Sequence, residues 1–401
     1  MAMQTRKLNV MHVILNLEVG GAQEVVRTLV EYLASGECTP IVCTFKDGPL
    51  RCEIEKLGVK VEILPARRHS IVALPLFIAD MIRIWRELTR LVREYDVQVV
   101  QTHLLTTLDF LTLLLRYTTS ACIVLWTFHS ARFELTAAQL RRHKWLLKPK
   151  RYVHRQLYRL AAHFVSGFIA VSEQVKISML ETIGPVQDKI TVICNGVDIK
   201  RYSQSSDKTS TRHELGLDAN AILITQVGTL KGVKGHRYMI EAMPAIISQY
   251  PAANVLFIGD GELGETLQAQ AAAMNVDSHV HFLGNRRDVP ALLAVSDVFV
   301  LPSLWEGLSM SLLEAMASGL PVVASEVSGT VQVVLPGEMG YLVPPGDVPA
   351  LTEAIKQVLV NPERAQMMGD KGRRHVAANF SAQKQADEHL ALYRRLLGCI
   401  G

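Results

Sequence analysis

Short apolar runs alternate along the chain with segments whose apolar positions recur every three or four residues. The first pattern marks a buried strand and the second an amphipathic helix. The runs predict strands at residues 10–16, 39–44, 60–63, 97–102, 121–127 and 167–171, then at 190–193, 221–227, 254–258, 280–282, 298–301 and 322–324. The periodic segments predict helices at 23–34, 80–94, 152–162, 236–249, 263–274, 309–317 and 349–360. Strands that are apolar throughout, separated by helices, form parallel sheets covered on both faces, so the fold class is α/β. The alternation restarts midway. A Ser-, Asp-, Lys- and Thr-rich stretch at 202–212 reads as a linker, and a fresh strand opens near Ala221. The chain therefore reads as two Rossmann-like, doubly wound domains facing a cleft, 1–200 and 201–378, with an amphipathic helix in a C-terminal segment, 379–401. Ligands of such sheets bind beyond the carboxyl ends of the strands.

Composition narrows the class. A chain of 401 residues is long enough for two cores, and 49 % hydrophobic with 20 % charged residues is the balance of a globular protein. A net charge of +4 is too mild to point to nucleic acid. The six cysteines, Cys38, Cys43, Cys52, Cys122, Cys194 and Cys399, include no Cys-x-x-Cys pair and read as reduced thiols. Arg6 and Lys7 precede a short apolar run that is followed by Glu18, Gly20 and Gly21, which reads as a first strand and not as a signal peptide. No run reaches the ~18 apolar residues of a membrane span. The longest, 104–126, is broken by Asp109 and Arg116. A cytoplasmic location is expected.

The densest chemistry lies between Ser303 and Ser325. Glu306 follows the apolar run 298–301 in a polar turn, and Glu314 lies eight positions on, inside the predicted helix. Ser309 is placed to cap that helix, and Gly319-Leu320-Pro321 to end it before the next strand. A helix start with open N–H groups at Gly307, Leu308 and Ser309 suits a phosphate. Helical side chains lean toward the N-terminus, so Glu314 could accept hydrogen bonds from a ribose diol beside that phosphate. Glu306, at the mouth, could hold the hydroxyls of whatever the phosphate carries.

This run resembles the Glu-x7-Glu signature of retaining nucleotide-sugar glycosyltransferases, family 4 of the GT-B type. Pro302-Ser303, Glu306-Gly307, Glu314-Ala315-Met316-Ala317 and Gly319-Leu320-Pro321-Val322 all match, in the strand–turn–helix context such a motif requires. The resemblance runs nearly end to end. Gly20-Gly21-Ala22 matches a glycine-rich loop near the donor phosphates, where only glycine lets backbone come close. Lys234, within Gly228-Thr229-Leu230-Lys231-Gly232-Val233-Lys234-Gly235, matches the lysine that neutralises the diphosphate. His129, within Thr127-Phe128-His129-Ser130, matches a histidine that faces the donor sugar. Asn195-Gly196-Val197-Asp198 matches the turn into the second domain, with Asn195 there to tolerate unusual backbone angles. Asn285 and Arg286, within Gly284-Asn285-Arg286-Arg287, fall where the family packs the nucleobase. One departure stands out: Thr229 occupies the position where the family places an arginine.

The resemblance implies a GT-B fold whose last helix crosses back to the first domain. It also implies transfer of a sugar from a UDP-, GDP- or ADP-sugar to a glycan or lipid-linked acceptor with retention, in cell-envelope or exopolysaccharide synthesis. Glu306, His129 and Lys234 would act in catalysis, by front-face attack in which the leaving diphosphate helps deprotonate the acceptor. Domain closure would exclude water. No Asp-x-Asp occurs in the chain; metal-dependent GT-A enzymes usually carry one, so neither metal nor cofactor is expected.

Competing readings remain. Gly259-Asp260-Gly261-Glu262-Leu263-Gly264 fits the dinucleotide fingerprint of an NAD-dependent oxidoreductase, but the next strand ends at Leu283-Gly284-Asn285 without the acid that fingerprint needs. A glycoside hydrolase would use two carboxylates across a sugar ring, usually from different elements. A GT-B-shaped nucleotide-sugar epimerase shares less of the glutamate motif. A catalytically inactive nucleotide-sugar-binding homologue finds its support in Thr229.

The segment Arg141-Arg142-His143-Lys144-Trp145-Leu146-Leu147-Lys148-Pro149-Lys150-Arg151-Tyr152 interleaves cations with Trp, Leu and Tyr. It reads either as a surface for anionic lipid or as solvated helix faces. Arg67-Arg68-His69, before the apolar stretch 71–82, would add to such a surface. On the first reading the protein is peripheral on the inner face of the cell membrane.

Overall fold

The computed structural model describes residues 7–65, 74–103, 108–118, 122–130, 147–184, 186–203 and 208–398. The chain divides into two compact units, Met1–Cys194 with Gln385–Gly401, and Asn195–Lys384. The division falls at Cys194/Asn195, a few residues before the boundary read from the sequence.

The first unit is built on one parallel sheet. Its strands are β1 (Leu8–Ile14), β2 (Cys38–Thr44), β3 (Lys60–Ile63), β4 (Val99–Thr102), β5 (Ile123–Phe128), β6 (Gly167–Ala170) and β7 (Ile190–Val192), in the order β3-β2-β1-β4-β5-β6-β7. Successive side chains on a strand face opposite ways, and the core divides accordingly. Met11, Val13, Ile41 and Val100 pack against Ile84, Leu88 and Leu91 of the helix Leu74–Glu94. Val10, Val99, Ile123, Leu125 and Ile169, on the other face, pack against Ala386, Leu392 and Tyr393 of the helix Ala382–Gly398. The last helix of the chain thus completes the core of the first unit. Each fully buried Leu or Ile there contributes about 1.5–3 kcal/mol.

The second unit repeats the plan. Its strands are β8 (Ile222–Val227), β9 (Ala253–Ile258), β10 (Val280–Phe282), β11 (Val298–Leu301), β12 (Val322–Ser325) and β13 (Gly340–Val343), all parallel, in the order β10-β9-β8-β11-β12-β13. Ile224, Val255, Phe257, Val298, Val300 and Val323 pack against Met239, Ile240 and Met243 of the helix His236–Ile247 and Leu351, Ile355 and Val358 of the helix Val348–Leu359. In both sheets the strand order reverses at the first strand of the unit, between β1 and β4 and between β8 and β11. Doubly wound sheets bind ligands at such a switch point.

Two of the differences from the sequence reading bear on the second unit. The stretch at 202–212 is not simply a linker: Ile199–Tyr202 and Lys208–Glu214 are helical, with 204–207 outside the described residues. Arg212 anchors the second helix, donating to Ala219 O at 2.6 Å, Val295 O at 3.1 Å and Asp297 Oδ2 at 3.1 Å. Strand β13 was also not expected. Its register brings Gly340 so close to Val322 that a Cβ would lie 2.0 Å from Val322 O.

Candidate active site

In the second unit the loops after β8 and β11 meet at the switch point. Leu301 leads through Pro302 and Ser303 to Glu306, which is 7 % exposed. Lys234 ends a short 3-10 turn, Gly232–Lys234, in the loop after β8. Its Nζ lies 2.8 Å from Glu306 Oε1, and Ser303 Oγ donates to the same oxygen at 2.7 Å. Glu306 therefore has two directional partners in a place where an unpaired carboxylate would be costly. The backbone permits this approach at one glycine. Gly235 has φ 69°, and a Cβ there would lie 1.9 Å from Pro302 O. Leu304 N–H donates to Val233 O at 2.8 Å, and Gln226 Nε2 donates to Lys234 O at 2.8 Å, so both loops are fixed to each other and to β8.

The helix Met310–Ala317 begins one turn beyond Glu306. Ser309 is its N-cap, and its Oγ accepts from Leu312 N–H. The C-terminus closes as a Schellman motif: Leu320 N–H donates to Ala315 O at 3.1 Å and Gly319 N–H to Met316 O at 3.0 Å, with Gly319 at φ 80°. Nearly every residue of this helix is buried, including Glu314 at 7 % exposure. The turn carrying Gly307, Leu308 and Ser309 is held from two sides. Asn195 Nδ2 donates to Leu308 O at 3.2 Å, and Gly329 packs so tightly that a Cβ would lie 2.5 Å from Gly307 O. This corrects the role expected for Asn195: its φ is not positive, and it works through its side chain.

Two glycines of the dinucleotide-like segment are required by the chain's own packing. A Cβ at Gly259 would lie 2.2 Å from Gly228 O, and one at Gly261 would lie 2.6 Å from Leu230 O. The loop after β8 lies directly against both. Gly259 N–H donates to Gly284 O at 2.8 Å, which sets the loop after β10 alongside. In that loop Arg286 forms a bidentate pair with Asp288, at 2.8 and 2.6 Å, and Asn285 precedes it.

In the first unit Gly20 caps the helix Gly21–Ala34 with extended backbone and no side-chain cap. Nothing lies within 4 Å of a Cβ built on Gly21, whereas a Cβ on Gly20 would lie 2.6 Å from Gln23 Oε1. Protein packing therefore does not impose Gly21. His129 follows β5 and is half-buried, with Nε2 3.0 Å from His103 Nδ1. Burial holds its imidazole near a pKa of about 4, so it is neutral.

The sequence reading missed His12 and His103, and matched Ser303 to the motif without giving it a role. Each left a trace: a histidine inside an apolar strand, another just past the end of β4, and a serine between the last apolar residue of β11 and Glu306. Lys234, Glu306, Gly307, Leu308, Ser309 and Glu314 gather at one edge of the second sheet, while Gly20, Gly21 and His129 lie at the carboxyl edge of the first. Arg67, Arg68, His69 and residues 141–146 lie outside the described residues.

Two parallel sheets, each with a switch point, and an acid–lysine pair at one of them define a two-domain, doubly wound protein with a polar site in its second unit. Residues 19–201 match the model for Glycosyltransferase Family 4, and residues 207–375 match that for Glycosyl transferases group 1. The chain belongs to these family 4-type glycosyltransferases and has the GT-B fold. It is 28 % identical over 391 residues to the UDP-Gal:alpha-D-GlcNAc-diphosphoundecaprenol alpha-1,3-galactosyltransferase of Escherichia coli, covering 96 % of this chain and 97 % of that one. It is 35 % identical over 198 residues to a GDP-mannose-dependent monoacylated alpha-(1-6)-phosphatidylinositol monomannoside mannosyltransferase of Corynebacterium glutamicum, covering 47 % of this chain and 51 % of that one. The crystal structure of Anabaena Alr3699/HepE in complex with UDP and glucose superposes with a TM-score of 0.80 at 21 % identity, covering 97 % of this chain and 100 % of that one.

Proposed function

We propose that this protein transfers a sugar from a nucleoside-diphosphate donor to an acceptor hydroxyl with retention of anomeric configuration. The Lys234–Glu306 pair at the switch point, 2.8 Å long, carries this reading. Lysine has three N–H donors, and one is used on Glu306. A diphosphate beside the amides of Gly307, Leu308 and Ser309 would take the others. Glu314 then accepts from the ribose diol, and Glu306 and His129 orient the sugar. Gly20 and Gly21 let backbone approach the phosphates, and Asn285 and Arg286 flank the base. In the reaction the bond from C1 to the phosphate oxygen breaks as the bond from C1 to the acceptor oxygen forms on the same face. The acceptor proton passes to the departing phosphate oxygen, so no separate base is needed. Lys234 and the helix-end amides carry the leaving-group charge in place of a metal ion.

Two of the relatives support an acceptor class by their names. The Escherichia coli enzyme's name gives a diphosphoundecaprenol acceptor, and the Corynebacterium enzyme's a phosphatidylinositol one. We assign a lipid-linked glycan acceptor and a place in cell-envelope or exopolysaccharide synthesis. Those two names also give different nucleotides, UDP and GDP, so the base is left to experiment. A cytoplasmic protein acting on such an acceptor would bind the inner membrane face. The helix Leu147–Phe164 supports this: Val153, Leu157, Leu160 and Phe164 are exposed at helical spacing, beside the exposed Arg155 and Arg159. No helix among the described residues is long and apolar enough to cross a membrane. Co-sedimentation with anionic vesicles should fall as salt rises; equal pelleting with neutral vesicles would exclude a charge-directed surface.

The transfer reading is tested by incubating the protein with UDP-, GDP- and ADP-sugars and a bacterial lipid extract. Product should form with one nucleotide and keep the donor's anomeric configuration by NMR. An inverted product would refute the mechanism. Thr229, at the family's arginine position, favours a second reading, a donor-binding homologue without turnover. Donor binding with no transfer, restored by Thr229→Arg, would select it.

A further inference from the structure

A line of buried histidines stands behind His129. His12 lies on β1, wholly enclosed, and its Nδ1 is 3.2 Å from His103 Nε2. His103 Nδ1 is in turn 3.0 Å from His129 Nε2. Ring-centroid distances of 5.5 and 5.2 Å keep the three in contact. Burial, then neighbouring histidines, lowers all three: His12 to about 3, His129 to about 4, and His103 well below the usual range. The rings are therefore neutral at neutral pH.

A neutral imidazole carries one N–H. His103 must then donate through one nitrogen and accept through the other, so both bonds run in the same direction. Only two arrangements exist. If protons point from His129 toward His12, the last ring carries its hydrogen on Nε2. That atom is buried and has no hydrogen-bond partner among the described residues, so a donor would be stranded. If protons point from His12 toward His129, only a lone pair is stranded. A buried donor without a partner is the rarer and costlier outcome.

The neighbouring polar groups are committed elsewhere. Gln101, the register partner of His12 on β4, donates to Thr127 Oγ1 at 2.8 Å and to His389 Nε2 at 3.3 Å, and its Oε1 accepts from the Tyr393 hydroxyl. His389 Nδ1 donates to Gln385 O at 2.8 Å. The direction in the histidine line is thus set by the orphaned nitrogen of His12. It leaves His129 accepting at Nε2 and protonated at Nδ1, on the opposite edge of a ring that is only half-buried.

We propose that His12 and His103 are positioning residues that fix the tautomer of His129, holding Nδ1–H as a neutral hydrogen-bond donor for a ligand oxygen. The purpose rests on the reading of His129 as a donor-site residue; the tautomer does not.

The test is histidine ¹⁵N NMR on the full chain at neutral pH, which distinguishes Nδ1–H from Nε2–H directly. Wild type should show His129 protonated at Nδ1. His103→Phe removes the donor to Nε2 and should move His129 to the Nε2–H form that isolated neutral imidazole prefers. His103→Gln, whose amide can both accept and donate, should return Nδ1–H. Protonation at Nε2 in wild type overturns the proposal, and so does Nδ1–H that survives His103→Phe. If that variant does not fold, His12→Phe serves: with the head of the line gone, His129 should show both tautomers, and an unchanged spectrum counts against the relay. A protein with the stated tautomer that bound no nucleoside diphosphate would refute the proposed function alone.

Discussion

At the scale of single residues, two contacts and one cluster of histidines bear most on stability and transfer. Lys234→Ala leaves Glu306, whose side chain is only 9 % exposed, without its counter-charge and with Ser303 Oγ as its remaining donor. Lys234 is partly open to solvent, so the loss should be about 1–3 kcal/mol, below that for a fully enclosed pair, measurable by urea unfolding. Transfer by Lys234→Ala and by Glu306→Ala should each fall by at least about 10²-fold; near-normal turnover in either would place the chemistry elsewhere. Gly235→Ala forces a Cβ into Pro302 O at 1.9 Å, at φ 69°, and should cost more than about 2 kcal/mol. The buried histidines make the fold acid-sensitive. Their folded-state pKa values lie below the ordinary 6.5, at about 3 for His12 and about 4 for His129 and His389. Below pH 6.5 the unfolded chain binds protons that the folded chain does not, so stability falls as pH drops from 6.5 toward 4, by about 1 kcal/mol per pH unit for each ring. His12→Phe should flatten this slope; an unchanged slope would mean that His12 does not contribute.

At the scale of elements, the helix Met310–Ala317 joins what sequence shows to what only packing shows. Ser309→Ala removes its cap and should cost about 1 kcal/mol in thermal unfolding. Both the cap and the Gly319 terminator were legible, because local chemistry sets helix ends. Most strands were legible too, since β5, β6 and β11 are buried throughout and carry a single polar side chain, Thr127. Strand β13 was not: Tyr341-Leu342-Val343 is a short run, and its strand geometry depends on Gly340 approaching Val322, a tertiary fact. The helix Lys208–Glu214 was hidden because its polar sequence is retained by Arg212 and not by an apolar stripe. The same limit applies to the site. Glu306 and Lys234 are 72 positions apart, and their salt bridge follows from which loops the sheet order brings together. His12 and His103 escaped notice because β1 and β4 must pair before the two rings can meet.

At the scale of the whole molecule, two sheets of the same plan each offer a switch point, and the last helix returns to the first unit through Leu392, Tyr393 and the Tyr393–Gln101 hydrogen bond. The central claim is that the second unit holds a nucleoside diphosphate between the Lys234–Glu306 pair and Glu314. Thermal unfolding with UDP, GDP, ADP or NAD, without added metal, tests it most directly. A ligand at about 100 times its Kd stabilises by about 2.7 kcal/mol, enough to read as a shift in Tm. The account predicts a shift with one nucleoside diphosphate that disappears in Glu314→Ala. A shift with NAD alone, or with no nucleoside diphosphate, would contradict it.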